Sequence, residues 1–393
     1  MARTDKPYRV YRGGRTKGRV PTLPRPGRGP SPDGYGQPGP VPVQPARRRR
    51  LGWGRRIALA VGLIVILLLA WGVLSFLAFR SGVEEANARL EDDARAQLAD
   101  QSGLLLSKPT TILLLGADHS DTIEQRTSAR RSDSIMLLRT DPDRGRLAFL
   151  SIPRDLRVDI PGHGPGKVNA ALQLGGPALA IQTIRALTDV PINHVALIDF
   201  DNFKEAIDAV GGITVDVPKP ILSNRFDCPY TAERCQTWRG WRFAKGEQHM
   251  DGRRALVYAR IRQNQLDPVE NDITRAERHQ RVFQALTRRL TSPSVVARMP
   301  LIGDDVVEPL ATDLSAWEFA QLGWLRFRAS SSQTLHCRLG GEASSNGGES
   351  FVIGTEENVA VLAMFVGASA PQPPLPGSGV FGPGCVVGSA AAL

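Results

Sequence analysis

Residues 134–152 read SIMLLRTDPDRGRLAFLSI. Two apolar, strand-forming runs, Ser134–Arg139 and Arg146–Ile152, flank Asp141-Pro142-Asp143-Arg144-Gly145. In that linker Pro presets φ and Gly tolerates the left-handed region, so the stretch is expected to fold back as a hairpin. A third strand, Thr111–Leu115 (TILLL), lies upstream. After Gly175 the periodicity alternates: helical spacing over Ala178–Leu187, a strand over His194–Ile198, a helix over Phe203–Val210 and a strand over Ile213–Val217. Alternation of this kind places the chain in the α/β class, with helices layered on a sheet.

Pro218 to His249 loses periodicity but holds Trp238, Trp241, Phe243 and two cysteines, which suits a long ordered excursion better than a linker. Asp251 is placed to cap a short helix through about Tyr258, and Asp272 a longer one to about Leu290. Thr312 or Asp313 would start another through Trp317 and Leu322. Thr334–Leu339 and Phe351–Ile353 read as late strands and Glu356–Phe365 as a last helix. A Pro/Gly-rich end of low complexity follows.

The 393 residues carry 49 Lys plus Arg against 39 Asp plus Glu, and 42% are hydrophobic, enough for a sizeable core. The net charge of +10 is unevenly spread. Residues 1–56 hold 15 basic and 2 acidic residues, leaving 34 basic and 37 acidic for the rest. That basic stretch contains 10 Pro and 10 Gly, so it is expected to be a disordered tail, and a compact nucleic-acid-binding domain is disfavoured.

Ile57 to Phe79 is a run of 23 residues without a charge, IALAVGLIVILLLAWGVLSFLAF. As a helix it rises about 34 Å, which matches a hydrocarbon core of roughly 30 Å. A cleaved secretory signal has an apolar segment of only about 7–15 residues, so an uncleaved anchor is the better reading. Arg47–Arg50, Arg55 and Arg56 precede the run, and Glu84, Glu85, Glu91, Asp92 and Asp93 follow it. The positive-inside bias then leaves the tail cytoplasmic and everything after Arg80 outside the cell membrane. The expected division is tail 1–56, span 57–79, helical juxtamembrane spacer 80–103, folded domain 104–368 and C-terminal tail 369–393.

All four cysteines lie beyond the span, which fits an oxidising compartment. Cys228 and Cys235 close a short loop, leaving Cys337 and Cys385 for each other. CxxC spacing is absent and the histidines lack ligand spacing, so none is assigned to a metal.

If the first strand and the hairpin share a sheet, the end of the first, the start of the second and the end of the third meet at one edge. Those ends carry Asp118, Arg131 with Asp133, and Arg154 with Asp155. Two carboxylates beside arginines suggest a divalent cation shared with a phosphate ligand, with ordinary surface ion pairs as the alternative. Arg260 and Arg262 (YARIR), then Arg275, Arg278 and Arg281, form a second basic group that spacing alone would leave as a solvated face. No GxSxG, HExxH or Walker pattern competes.

At these residues the sequence resembles the LytR-CpsA-Psr family of membrane-anchored envelope proteins. The matching stretches are ILLLGAD (112–118), RRSDSIMLL (130–138), FLSIPRDLRVDIPG (149–162), KVNAAL (167–172), GG before a helix (175–187), FDNFKEAIDAVGGITVDV (200–217), DGRRALVYARIR (251–262) and DITRAERHQ (272–280). The resemblance implies a three-layer α/β/α extracytoplasmic domain with a central mixed sheet, preceded by one transmembrane helix. It further implies binding of a polyprenyl-pyrophosphate-linked glycan and transfer of the glycopolymer to peptidoglycan in the cell wall, with Mg²⁺ as cofactor. Carried over residue by residue, it makes Asp118 and Asp133 the metal carboxylates and Arg131, Arg154, Arg260, Arg262 and Arg275 the phosphate-binding arginines. Asp133 and Arg154 are the catalytic pair in that assignment. One departure is visible: where the family pattern has Arg-Gln, this chain has Arg278-His279-Gln280, offering His279 or a displaced Gln280 as the donor. Two other readings use the same head group: a binding or regulatory protein without turnover, and a lipid pyrophosphatase.

Overall fold

The computed structural model describes residues 52–101, 103–118, 131–225, 228–261, 263–267, 272–329, 331–346, 349–376, 378 and 381–388. The chain divides into two units, Met1–Ile57 and Ala58–Leu393, and apart from the first five residues of the first helix the second carries the features that follow. The expected basic tail lies outside the described residues up to Leu51.

Helix α1 (Trp53–Ala88) has 36 residues and is long and apolar enough to cross a membrane. It continues two and a half turns past the uncharged run, where Arg80 and Glu84 pair at i,i+4 (2.7 Å). A single turn, α2 (Asp92–Arg95), follows.

Strands β1 (Thr110–Asp118), β2 (Arg131–Asp141) and β3 (Arg146–Ser151) pair antiparallel in sequence, the last two through the expected turn. A small ribbon, β4 (Arg157–Ile160) with β5 (Gly164–Lys167), leads into α3 (Ala170–Thr188). α3 is two helical pieces joined at Gly175 and Gly176; Gly176 has φ 63°, open to a residue without Cβ, and Pro177 starts the second piece. Then come β6 (His194–Asp199), α4 (Phe200–Ala209) and β7 (Ile213–Val217).

The aperiodic excursion is ordered where described. It contains β8 (Ile221–Leu222), α5 (Ala232–Thr237), β9 (Arg242–Phe243) and β10 (Gly246–Met250), with β10 on β7 and β9 on β8. Helices α6 (Gly252–Arg260) and α7 (Asp272–Leu290) follow, and the Asp251 carboxylate caps α6 by accepting from the Arg254 N–H at 2.7 Å. Next are α8 (Pro293–Val307), β11 (Ala311–Thr312) and α9 (Ala316–Arg328). α9 begins later than Thr312 or Asp313 because both are occupied elsewhere. Thr312 pairs with β6, and Asp313 accepts from the Val195 N–H and contacts His194 Nδ1 at 2.7 Å. Ser315 and Glu318 supply a reciprocal capping box in their place.

The chain ends with β12 (Leu335–Arg338), β13 (Gly341–Asn346), β14 (Glu349–Gly354), α10 (Glu357–Val366) and β15 (Gly384–Val387). β15 lies within the stretch read as low complexity and pairs with β12, where Cys337 and Cys385 face each other and are disulfide-bonded. Cys228 and Cys235 form the other bridge, as expected.

One mixed sheet of seven strands, ordered β11-β6-β1-β2-β3-β12-β15, forms the middle layer; β6 runs parallel to β1 and β12 parallel to β3. The period of two sorts its faces. Leu113, Leu137 and Leu150 face Ile181 and Ile184 of α3 and Phe365 of α10. Met136, Leu147 and Phe149 face the other way, toward Phe283 of α7 and Ala329. Each such buried side chain contributes about 1.5–3 kcal/mol. A separate core joins α4, β7, β10, α6 and α7 through Ile207, Val215, Met250, Tyr258 and Val282. There Gly252 sits so close to the Lys204 carbonyl that no Cβ fits, which lets α6 lie directly on α4.

Candidate functional site at one edge of the central sheet

The register places the predicted strand ends together. Asp118, the last residue of β1, is opposite Arg131, the first of β2. The pairing then slips: Ala117 faces Ser132, whereas Gly116 faces Ser134, so Asp133 is the extra residue of a β-bulge and has no cross-strand counterpart. Bulges re-aim a side chain out of the ladder, and they recur beside active sites. β3 ends opposite Met136, the Ile152 N–H donates to the Ile135 carbonyl (3.0 Å), and the next turn carries Arg154 and Asp155. The side chains of Asp118, Arg131, Asp133 and Arg275 lie outside the described residues, as does Arg262 entirely, so backbone positions are what place them.

Arg154 is fixed from several sides. Its Nε donates to Asp155 Oδ2 at 3.2 Å, and Asp155 Oδ1 takes Lys167 Nζ at 3.2 Å. The Arg154 carbonyl accepts from the Asn169 N–H, and the Asp155 carbonyl from the Val352 N–H. The two side chains are only 14% and 15% exposed, so this ion pair holds its geometry better than an open surface pair does.

The second arginine group is built by α6 and α7. Arg260 is the last residue of α6. Arg278, which spacing would leave on a solvated face, is instead fully buried, and its Nη2 donates to the Ile261 carbonyl. The end of α6 at Arg260 and Ile261 is thereby tied to α7 one turn beyond Arg275. Further along α7, Phe283 packs edge-on against Phe149 of β3 (5.8 Å), and Arg289 Nε donates to the Val210 carbonyl (2.9 Å) at the far end of α4. His279 is half-buried, and the Gln280 side chain lies outside the described residues.

Sequence reasoning passed over Asp199. Parallel pairing sets it opposite Ala117, and its carboxylate caps α4 by accepting from the Asn202 N–H and side-chain amide, both at 2.9 Å. With Glu91, Ala117, Leu172, Gly176, Pro177 and Leu197 it lines a hollow beside the end of β1. The acid closing the strand HVALID, at a sheet's carboxyl edge, was the available signal; Glu91, in the juxtamembrane stretch, gave none.

Among the described side chains the edge offers the Asp155 carboxylate next to the Arg154 guanidinium. Two carboxylates suit Mg²⁺, which binds one or two protein carboxylates and leaves its other positions to phosphate oxygens and water. Among the described residues no group of three or more His, Cys, Asp or Glu is arranged to hold a metal.

A sequence profile of the LytR_cpsA_psr family matches residues 73–362. The polyisoprenyl-teichoic acid–peptidoglycan teichoic acid transferase TagV of Bacillus subtilis (strain 168) is 31% identical over 267 residues, spanning 67% of this chain and 65% of that protein. The chain thus matches slightly less than two thirds of TagV. The corresponding transferase TagU of Halalkalibacterium halodurans is 26% identical over 310 residues, 77% of this chain and 93% of that protein. The crystal structure of B. subtilis TagV superposes with a TM-score of 0.55 at 29% identity, covering 65% of this chain and 95% of that one.

Proposed function

The chain belongs to the LytR_cpsA_psr family, and from that we propose that it is a phosphotransferase moving a glycopolymer from a polyprenyl-pyrophosphate carrier onto peptidoglycan. The observation that carries the reading is the register at the sheet edge. Asp118 sits opposite Arg131, Asp133 is bulged out beside them, and Arg154 stands on the next strand end. The names of TagV and TagU support the donor and acceptor classes.

In this reading an acceptor sugar hydroxyl attacks the sugar-proximal phosphorus. The new P–O bond to the acceptor forms as the bond to the bridging oxygen breaks, and polyprenyl phosphate leaves with that oxygen. Arg131, Arg154, Arg260, Arg262 and Arg275 hold the phosphoryl oxygens and stabilise the charge that develops on them. Asp118 and Asp133 would hold Mg²⁺, which when bound supplies charge neutralisation between the two phosphates. The hydroxyl proton passes to a carboxylate of the edge or to water, with Asp133 the nearest candidate by position. α1 serves as a single-pass anchor with the tail on the cytoplasmic side, and tethering at the bilayer raises the effective concentration of a lipid substrate.

The test incubates full-length protein in lipid nanodiscs with Mg²⁺, a labelled polyprenyl-pyrophosphoryl glycan and peptidoglycan fragments. Acceptor-dependent, chelator-sensitive movement of label into the acceptor is expected. Label released only to water would make the protein a pyrophosphatase, and binding without turnover would make it a binding protein.

A further inference from the structure

α9 turns an apolar face to solvent. Trp317 is 58% exposed, Trp324 53% and Phe327 77%, and on neighbouring α8 Leu301 is 78% exposed. The first three recur at helical spacing on one side, while Phe319 and Leu322 on the opposite side are half-buried. A patch of this kind marks an interaction surface, and what covers it is argued from its neighbour α1.

The last two turns of the uncharged run in α1 are packed by these same helices. Trp71 Nε1 donates to the Ala297 carbonyl of α8 (3.2 Å), the Phe79 backbone abuts Gly303, and the Phe79 ring meets Phe319 of α9 edge-on at 5.6 Å. From Trp71 to Phe79 the helix rises about 12 Å. α8 climbs alongside it, since Gly82 abuts Asp304 and Arg89 pairs with Glu308 at 3.1 Å. α9 descends it, since Ala316 shares a small core with Val83 and Ala86 whereas Phe319 reaches Phe79. The acidic residues of α8 therefore stand level with the charged part of α1, and Leu301 and the later residues of α9 with its apolar part.

We infer that the outward face of α9, with Leu301 of α8, lies in the headgroup region of the bilayer leaflet on the domain's side, so that the protein grips the membrane through a second, interfacial surface. The occupant is a phospholipid leaflet because the patch is continuous with the lipid-facing surface of α1. Trp at this depth places its ring among acyl chains and its N–H among headgroups. Arg328 closes the helix, exposed on this same side, with a stem long enough to set its guanidinium against lipid phosphate. The inference rests on reading α1 as a membrane anchor.

The test uses full-length protein in phosphatidylcholine/phosphatidylglycerol liposomes whose acyl chains do or do not carry bromine, and reads tryptophan quenching. Flotation is checked first, and protein that does not float with the vesicles overturns the anchor and this inference with it. Of the six tryptophans, Trp53 and Trp71 lie in α1, and Trp238 and Trp241 in the excursion. With two of four lipid-facing rings removed, the double variant Trp317→Phe/Trp324→Phe should lose about half of the bromine-dependent quenching. Trp238→Phe/Trp241→Phe should lose none, and adding Phe327→Trp to the first variant should restore part of the signal. Floating protein whose quenching is unchanged by Trp317→Phe/Trp324→Phe, or whose α9 residues cross-link to a second copy, overturns the proposal.

Discussion

Arg278 of α7 donates to the carbonyl of Ile261, the residue between Arg260 and Arg262. A buried guanidinium thus clamps the backbone next to Arg260, one of the proposed phosphate ligands. Arg278→Gln shortens the side chain and leaves that carbonyl without its charged donor, at a cost of about 1–3 kcal/mol. Lower thermal stability is expected together with a raised KM for the lipid donor, since the loss falls on positioning. Unchanged KM in a folded variant would show that the clamp is structural only.

Arg154 and Asp155 separate two roles at the strand end. Arg154→Ala removes a guanidinium proposed to hold the phosphoryl oxygens, and transfer should fall by roughly 10²–10³-fold. Asp155→Asn leaves Arg154 in place but weakens its 3.2 Å partner, so a loss of about tenfold is expected, weighted toward KM. Single-turnover assays with both variants check the order.

The Cys337–Cys385 bridge closes a separation of 48 residues and fixes β15 to the sheet, whereas Cys228–Cys235 closes only 7. Loop-closure entropy assigns about 4 kcal/mol to the longer loop and about 2 kcal/mol to the shorter. Cys337→Ala/Cys385→Ala should therefore lower the unfolding midpoint more than Cys228→Ala/Cys235→Ala does, measured by urea titration.

His336, stacked on Phe149 at 5.4 Å, has its pKa lowered from 6.5 to about 4 by burial, against a smaller opposing effect of its hydrogen bond to the Gly388 backbone carbonyl. Unfolded chains take up this proton as pH falls through 6.5, and the folded protein does so only near 4. The stability tied to the neutral ring is complete above that range and is lost on acidification across it, by an amount on the order of 3 kcal/mol. His336→Gln should flatten the pH dependence of the urea midpoint between pH 7.5 and 4.5, and an unaltered slope would contradict this.

The hairpin and its edge were legible because strand period, Pro and Gly in one turn, and charged residues at strand ends all pointed the same way. β11 and β15 were not: two and four residues carry no periodicity, and β15 is held by a disulfide and a partner strand from elsewhere in the chain. The start of α9 was misplaced because Asp313 has the composition of a cap but is committed to Val195 and His194. Arg278 shows the same limit at the site. Arginines three residues apart look alike in sequence, and only tertiary packing shows that Arg278 is buried.

The central claim is that the bond broken lies between the sugar-proximal phosphorus and the bridging oxygen, and the lipid product of a single turnover reports this directly. Mass spectrometry of the reaction of full-length protein with polyprenyl-pyrophosphoryl glycan and peptidoglycan fragments should find polyprenyl monophosphate, formed one for one with a phosphodiester-linked acceptor. Polyprenyl pyrophosphate with a glycosidically linked acceptor would contradict the account.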